Sequence, residues 1–393
     1  MRCRRVLDLL YKLILLLFSL LSLAMKKTLF PLLTLLAGLL LAPLTGCNDD
    51  DDNNATPTLT PLTTLESVAS SSVLWTGVAV AQDGRIFANF PRMDTDTIPY
   101  SVAEVSGTQA TPFPDANWNT WNRSLPAQDH FVCVQSVIVD DENFLWVLDP
   151  ASPQMRGVVP GGAKLLKFNL ATRQLVQRIT FDETVVYPTS YLNDVRVDTQ
   201  RDFAYITDSN QGAIIVVNLT TGRSRRLLGR HPSTKSENLI LTVEGRIWRN
   251  QTGELPSFDA DGIALTPNRD YIYYQALTGR TLYRIATAAL QDESLTNAQL
   301  VQRIETIGTG SPTDGMLFDR NGNLYFSTVE ANAVTRLTPG GQLQLVAQDA
   351  LLKWPDSFAQ GPDGALYVTS SQLHIPRSER REPFRIFKFI VPQ

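Results

Sequence analysis

From about residue 66 to its end, the sequence repeats one pattern of hydrophobic and polar positions. Each copy contains a short apolar strand, a turn rich in Asp, Asn and Gly, and a second strand that carries a marker aromatic residue. Because apolar and polar residues alternate on both sides of the turns, each copy is predicted to form an antiparallel hairpin. The six copies cover residues 77–89, 136–149, 194–208, 262–276, 315–328 and 357–370, with Phe87, Trp146, Tyr205, Tyr273, Tyr325 and Tyr367 as marker aromatics.

The hairpins recur at the spacing of a repeat protein. Successive marker aromatics are separated by 59, 59, 68, 52 and 42 residues, and further strand-like sequence follows the hairpins, as in 163–181 and 212–228. Four strands in roughly 40 to 60 residues are typical of one β-propeller blade. We therefore predict an all-β fold, a six-bladed β-propeller over residues 66–393. The stretch 384–391 should close the ring, either within the last blade or against the strand near 66–74.

Polar residues recur where the first strand of each hairpin begins. If these strands line a central channel, their first residues meet at one mouth, where we place a ligand-binding set. The set consists of Trp75, Gln135, Tyr191, Asn193, Asp194, Asp261, Asp314 and Asp356. Four carboxylates around one mouth repel each other unless they are hydrated, paired with Arg or bound to a cation. Capping of backbone amides is the alternative role for each residue taken singly, and a cationic ligand, either a metal or an amine, is the specific hypothesis for the set.

The first 46 residues have the features of a targeting segment. Residues 25–27 (Met-Lys-Lys) form a positively charged start, and the apolar stretch after them ends in residues 44–47 (Leu-Thr-Gly-Cys). This ending resembles the lipobox of bacterial lipoprotein signal peptides, in which the cysteine is lipidated and the peptide before it is removed. A second apolar stretch, 6–24, precedes it. We favour translation from Met25, and a membrane-spanning segment at 6–24 is the alternative.

Lipidation of Cys47 would anchor the mature protein, since two or more acyl chains suffice for stable membrane attachment. The acidic and Thr/Pro-rich stretch 47–65 cannot bury apolar surface, so it is predicted to be a solvated tether. These features place the protein in the bacterial cell envelope, lipid-anchored and extracytoplasmic, on the periplasmic side or at the cell surface.

Charge is distributed unevenly along the chain. The formal net charge is −4, but residues 1–46 carry six basic residues and one acidic residue, which leaves 29 basic against 38 acidic residues for the rest. An acidic body argues against nucleic acid as a partner, because phosphate binding needs a basic face.

The three cysteines cannot form a disulfide framework, and Cys133 is expected to be buried and unpaired. The sequence contains no HExxH, GxSxG or GxxxxGK[ST] motif.

Several stretches resemble the major royal jelly and yellow protein family, particularly its bacterial members. They are 77–92, 121–122, 131–149, 165–181, 204–219, 261–283, 352–371 and 383–388, and the pairing of VQSVIVD with LWVLD inside 131–149 is the most specific. The resemblance implies a secreted six-bladed propeller. It also suggests two kinds of function, because some insect members are linked to dopachrome conversion and others bind biogenic amines in the channel.

A second propeller family, the gluconolactonase and senescence-marker type, offers a contrast. That family holds a divalent metal in the channel with a Glu, two Asn and an Asp. Asn193 and Asp314 match two of these ligands, and Asp261 stands where the second Asn would be. Residues 75–77 (Trp-Thr-Gly) replace the motif that supplies the Glu, and Tyr191 replaces the substrate-binding Arg. The resemblance leaves Asn193, Asp261 and Asp314 as a candidate set for a divalent cation such as Ca²⁺.

These observations predict a lipid-anchored, monomeric propeller that binds a small polar ligand, either a cationic amine or a catechol-like molecule, in its channel. The alternative is an enzyme, either a dopachrome-type tautomerase with a channel carboxylate as general base or a metal-dependent gluconolactonase-like hydrolase. A scaffold that presents its rim to a protein partner is a third class, because propellers serve many functions.

Overall fold

A computed structural model describes residues 60–250 and 252–392 of the chain. The targeting segment 1–46, the start at Met25, the lipidated Cys47 and most of the tether 47–65 lie outside the described residues, so these remain predictions. Across the two described ranges, no helix combines the length and the apolar character that crossing a membrane requires.

Six four-stranded antiparallel sheets form the blades of a β-propeller, which confirms the predicted fold class. The first strand among the described residues is the outer strand β1 (Glu66–Ser71). Blade 1 contains β2 (Val78–Val80), β3 (Ile86–Asn89), β4 (Val102–Ser106) and β5 (Gln109–Pro112). Blade 2 contains β6 (Ser136–Val139), β7 (Phe144–Asp149), β8 (Lys164–Asn169) and β9 (Leu175–Thr180). Blade 3 contains β10 (Leu192–Asp198), β11 (Phe203–Asp208), β12 (Ala213–Asn218) and β13 (Ser224–Leu227).

A small hairpin of β14 (Thr242–Val243) and β15 (Arg246–Ile247) separates blade 3 from blade 4. Blade 4 contains β16 (Ala260–Leu265), β17 (Tyr271–Ala276), β18 (Thr281–Ala286) and β19 (Glu305–Thr309). Blade 5 contains β20 (Thr313–Phe318), β21 (Leu324–Thr328), β22 (Ala333–Leu337) and β23 (Leu343–Gln348). Blade 6 contains β24 (Pro355–Gln360), β25 (Leu366–Ser370) and β26 (Phe384–Phe389), and its fourth strand is β1. The described α-helices are short: α1 (Ala116–Asn119), α2 (Thr287–Gln291) and α3 (Asn297–Val301).

The ring is closed by strands from opposite ends of the described chain. β26 lies between β25 and β1, and its pairing with β1 runs from Ser71 opposite Phe384 to Glu66 opposite Lys388. The prediction that 384–391 closes the ring is confirmed. Both predicted modes of closure occur, because β26 belongs to the last blade and also pairs with β1. Because β1 covers the outer edge of β26, the last blade has the same four strands as the others.

Apolar side chains fill the spaces between neighbouring blades. One core joins Leu148 and Leu165 of blade 2 to Ile206 and Ile215 of blade 3, and comparable cores lie between the other neighbours. Cys133 is buried and unpaired, as predicted, and burial raises the pKa of its thiol to about 12. The blades therefore hold their inner strands around the channel by conventional hydrophobic packing.

The inner strands of blades 3 to 6 share an irregularity at the channel. In each, the register with the second strand shifts near the start of the inner strand, for example between Leu192 and Val195 and between Thr313 and Met316. A β-bulge of this kind bends a strand and changes the direction of its side chains. In blade 5 the bulge contains Gly315, where a Cβ would lie 2.2 Å from the carbonyl oxygen of Asp356 in blade 6. Glycine is therefore required for the close approach of these two inner strands.

Candidate functional site

The register of each hairpin defines a ring of equivalent positions at the start of the inner strands. In blade 3, Arg196 pairs with the marker Tyr205, and Asn193 stands three positions earlier; the same count applies in the other blades. The equivalent residues are Thr76, Gln135, Asn193, Asp261, Asp314 and Asp356. We call Asn193, Asp261, Asp314 and Asp356 the carboxylate ring; each is 3–6 % exposed.

Direct contacts bring the carboxylate ring together. The Asn193 amide donates a hydrogen bond to the carboxylate of Asp261, and Asp261 is hydrogen-bonded in turn to Asp314. The indole Nε1 of Trp354 donates to Oδ2 of Asp314 over 2.6 Å, while Asp356 accepts from the Ser371 hydroxyl over 2.7 Å. Asn193, Asp261 and Asp314, which sequence analysis places at one mouth, are thus neighbours in the fold, and Asp356 lies near enough for the charge of Asp314 to raise its pKa.

Arg196 lies beside the carboxylate ring. Nη2 of Arg196 lies 3.3 Å from Oδ2 of Asp194, and it also donates to the Met316 carbonyl in blade 5 over 2.7 Å. Arg196 therefore reaches from blade 3 past blade 4 to blade 5. Among the described residues, no Lys or Arg side chain forms an ion pair with Asp261, Asp314 or Asp356.

Burial makes these carboxyls reluctant to ionise. It is the main reason why the pKa of Asp314 is raised to about 6, and the nearby Asp194 adds to the rise while Trp354 opposes it. Burial, followed by the neighbouring carboxyls, raises the pKa of Asp261 and of Asp356 well above the usual range. Burial also raises the pKa of Asp194, against the opposing effect of Arg196. The ring therefore holds protons at a pH where exposed aspartates have none.

Of the other predicted site residues, Tyr191 and Gln135 lie beside the carboxylate ring, whereas Trp75 does not. The Tyr191 hydroxyl donates to Oε1 of Gln135 over 2.7 Å, and the charges of Asp261 and Asp356 help to raise the pKa of Tyr191, although burial is the main cause. Trp75 is 1 % exposed and lies in the hydrophobic core between blades 6 and 1, against Phe90. In the structure Trp75 is therefore a core residue next to the ring position Thr76.

The described residues contain no group of three or more His, Cys, Asp or Glu side chains arranged to hold a metal ion. Two of the candidate metal ligands, Asp261 and Asp314, are carboxyls, and the third, Asn193, contacts Asp261 through its amide. The oxygen donors of the set suit a hard cation. The three candidate ligands lie together, and the metal hypothesis stays a prediction.

Sequence analysis missed the role of Arg196, although the sequence contains a signal for it. The other five blades carry Ala79, Ile138, Ala264, Leu317 and Ala359 at the register position of Arg196. A charged residue at a position that is otherwise apolar in every repeat indicates a special function for that side chain. The structure gives the reason, because this position faces the channel.

A second feature that sequence analysis missed is a segment over the ring end of the channel, residues 239–250, which we call the lid hairpin. It contains β14, β15 and Trp248, and the ring of Trp248 lies 4.5 Å from that of Trp354, which contacts Asp314. Glu244 of the hairpin binds His374 in blade 6. The signal for it was the 68-residue interval between two marker aromatics, the longest in the chain.

The opposite end of the channel holds an open cavity of about 550 Å³. Residues from all six blades line it, at the ends of the inner strands and in the turns that follow them. Arg196 belongs to this lining and also pairs with Asp194, the neighbour of the ring residue Asn193, whereas no residue of the carboxylate ring lines the cavity. The two ends of the channel therefore differ in chemistry.

Solved structures with this architecture include a gluconolactonase from Xanthomonas campestris. Its TM-score is 0.52 at 11 % sequence identity, and the match covers 84 % of this chain and 89 % of that chain. An identity this low indicates a shared fold. By fold, the chain is a six-bladed β-propeller with its candidate site in the central channel.

The family follows from the sequence comparisons. The family model described as "Major royal jelly protein" matches residues 132–386, so the chain belongs to the major royal jelly protein family, as predicted. Major royal jelly protein 7 of Apis mellifera is 24 % identical over 254 residues, which are 61 % of this chain and 54 % of that protein. The chain thus spans about half the length of the curated relatives it matches. The 6-deoxy-6-sulfogluconolactonase of Pseudomonas putida is 29 % identical over 115 residues, 29 % of this chain and 38 % of that enzyme.

Proposed function

We propose that this protein binds a small cationic amine or catechol-like ligand at the carboxylate ring of its central channel. The observation that carries the proposal is that Asp261, Asp314 and Asp356 are buried together without an ion-pair partner among the described residues. Buried carboxyls in this arrangement are stabilised by protons or by an added positive charge. An ammonium group supplies that charge, and catechol hydroxyls supply hydrogen bonds.

Aromatic rings at the ring end of the channel suit an aromatic amine. Trp354 contacts Asp314 directly, and Trp248 of the lid hairpin stacks on Phe258 with ring centres 5.6 Å apart. Faces of Trp and Phe attract cations as well as other rings. The lid hairpin packs against Trp354 at this end, so a ligand would enter past the hairpin or along the channel.

The pH dependence of binding tests the electrostatic part of the proposal. A cation prefers the ionised form of Asp314, whose pKa is about 6, so affinity should rise as the pH increases through 6. Ionisation of Asp261 and Asp356, whose pKa values are raised well above the usual range, should strengthen binding further at higher pH. Isothermal titration calorimetry with dopamine and serotonin between pH 5 and pH 8 measures this. Asp261→Asn should weaken binding, whereas Asp202→Asn, at an exposed turn, should not. Absence of saturable binding to the wild-type protein would refute the proposal.

The same proposal includes location and assembly. We propose that the mature protein is a monomer attached by lipid on Cys47 to the bacterial cell envelope, facing away from the cytoplasm, with no nucleic-acid partner. The supporting observation is the sequence of residues 25–47, which resembles a lipoprotein signal peptide. Mass spectrometry of the mature N-terminus should find a diacylated cysteine, and Cys47→Ala should release the protein from the membrane fraction. An intact Met1 would contradict this.

An enzyme is the second candidate. A metal-dependent lactone hydrolase is supported by the partial match to the Pseudomonas putida 6-deoxy-6-sulfogluconolactonase and by the grouping of Asn193, Asp261 and Asp314. A dopachrome-type tautomerase would use one ring carboxyl as general base, and the raised pKa of Asp314 suits proton transfer near neutral pH. Metal analysis of the purified protein separates these, because stoichiometric Ca²⁺ or Zn²⁺ supports the hydrolase.

A further inference from the structure

The cavity at the turn end of the channel has the form of a second small-molecule site. Its volume of about 550 Å³ lies within the range of about 300–1,000 Å³ that is usual for ligand pockets. All six blades contribute to its wall, so the surrounding fold shapes it rigidly. The apolar part of the wall includes Val80, Ile138, Leu265, Leu317 and Phe358. This lining suits the apolar body of a ligand.

Arg196 is the charged residue at the channel side of this cavity. Its guanidinium has five N–H groups, and three of them are used by the Val195 carbonyl, the Met316 carbonyl and Asp194. Nε is buried and has no hydrogen-bond partner among the described residues. The remaining donors can therefore serve an acceptor from outside the protein, since buried polar groups are normally hydrogen-bonded.

The acidic residues of the lining are already engaged. Asp140 accepts hydrogen bonds from the Trp146 indole over 2.8 Å and from the Phe144 amide over 2.9 Å. Asp319 accepts in the same way from the amides of its own turn, and Asp141 pairs with Arg269. These carboxylates hold the turns in place. Arg269 also lines the cavity, but it is paired with Asp141 and Asp198, and Arg320 is exposed. At the channel side of the cavity, Arg196 is the described lining residue with hydrogen-bond donors to spare.

We propose that this cavity binds an uncharged, mainly apolar molecule that ends in a carbonyl oxygen, with that oxygen accepting a hydrogen bond from Arg196. A carbonyl satisfies the spare donors without adding charge. A carboxylate fits less well, because Asp194 already neutralises Arg196 at 3.3 Å and a second anion would have to lose its water beside that aspartate. This site is separate from the carboxylate ring and differs from it in the ligand it selects.

Calorimetry with 2-octanone and with octanoate on the full chain tests the proposal. The two probes have the same chain length and differ in the charge of the oxygen-bearing end. We expect saturable binding of 2-octanone and binding of octanoate that is weaker by about tenfold or more. Arg196→Met should weaken 2-octanone binding by at least about tenfold, the effect of losing one hydrogen bond to a charged donor. Because the ketone is uncharged, the outcome is independent of whether amines bind at the carboxylate ring.

A second variant covers the case in which Arg196→Met fails to fold. Leu317→Trp fills the cavity from its apolar wall and leaves Arg196 in place, so it should abolish 2-octanone binding. Asp202→Asn lies outside both sites and serves as the control. Three results would overturn the proposal: no saturable binding of 2-octanone, tighter binding of octanoate than of the ketone, or ketone binding that survives Leu317→Trp.

Discussion

Replacing Asp314 by Asn should stabilise the protein at high pH and leave it nearly unchanged at low pH. The side chain is buried, its pKa is raised to about 6 from an ordinary 3.8, and no cation pairs with it among the described residues. Asn has nearly the same shape and its carbonyl can still accept from Trp354. The substitution therefore removes the cost of a buried charge and the repulsion that this charge exerts on Asp261 and Asp356.

The size of the effect follows from the two pKa values. The pKa of Asp314 is higher in the folded protein than in the unfolded chain, so the contribution of this carboxyl to stability is greatest below pH 3.8 and is lost as the pH rises through 6. Because the folded and unfolded pKa values of Asp314 differ by about two, ionisation of this carboxyl lowers the free energy of unfolding by roughly 3 kcal/mol at pH 8. At pH 4, where Asp314 is protonated in the folded protein, the corresponding cost is less than about 1 kcal/mol. The advantage of Asp314→Asn should therefore grow across this interval.

Urea denaturation of chelator-treated wild type and Asp314→Asn, measured at pH 4, 6 and 8, provides the data. Asp202→Asn is the matched control, because it removes an exposed carboxyl outside the channel and should give an offset that does not change with pH. If the unfolding free energies of wild type and Asp314→Asn differ by the same amount at all three pH values, the carboxylate ring carries no buried charge penalty and the reasoning fails.

Three further outcomes are expected. Trp354→Phe removes a hydrogen bond that lowers the pKa of Asp314, so carboxyl-detected NMR should show that carboxyl titrating at higher pH. Thr369→Val removes a hydroxyl that ties blade 6 to a carbonyl of blade 1 over 2.6 Å, and urea denaturation should show a loss of about 1–3 kcal/mol. Deletion of residues 60–71 uncovers the edge of β26, so gel filtration should show self-association and thermal unfolding should occur at lower temperature.

Much of the fold could be predicted because it repeats. A hairpin needs an alternating apolar pattern and a turn, and six copies of both are visible in the sequence. The spacing between a ring position and its marker aromatic is less regular than the repeat. Asp314 and Asp356 stand eleven residues before their marker aromatics, whereas the hairpins of blades 3 and 4 are one residue longer, so Asn193 and Asp261 stand twelve residues before theirs.

The site could be predicted only in part, since its connections are non-local. Arg196 contacts Met316, which is 120 positions away in the sequence, and no local pattern links the two residues. The lid hairpin appears in the sequence as a long interval between repeats, without any indication of what it covers. Carboxyls at strand starts follow from the repeat. Their burial, and the absence of a cationic partner within 60–250 and 252–392, follow from tertiary packing.

The closure of the ring by β1 sets an order for folding during synthesis. Ser71 pairs with Phe384, which the ribosome adds 313 residues later, a delay of about 15 to 60 s at roughly 5–20 residues per second. For that time β1 has no partner strand. Its sequence, ESVASS, contains three serines and a glutamate, so the waiting strand is soluble and a poor template for aggregation. The strand that completes the propeller is thus suited to remain single until the last blade emerges.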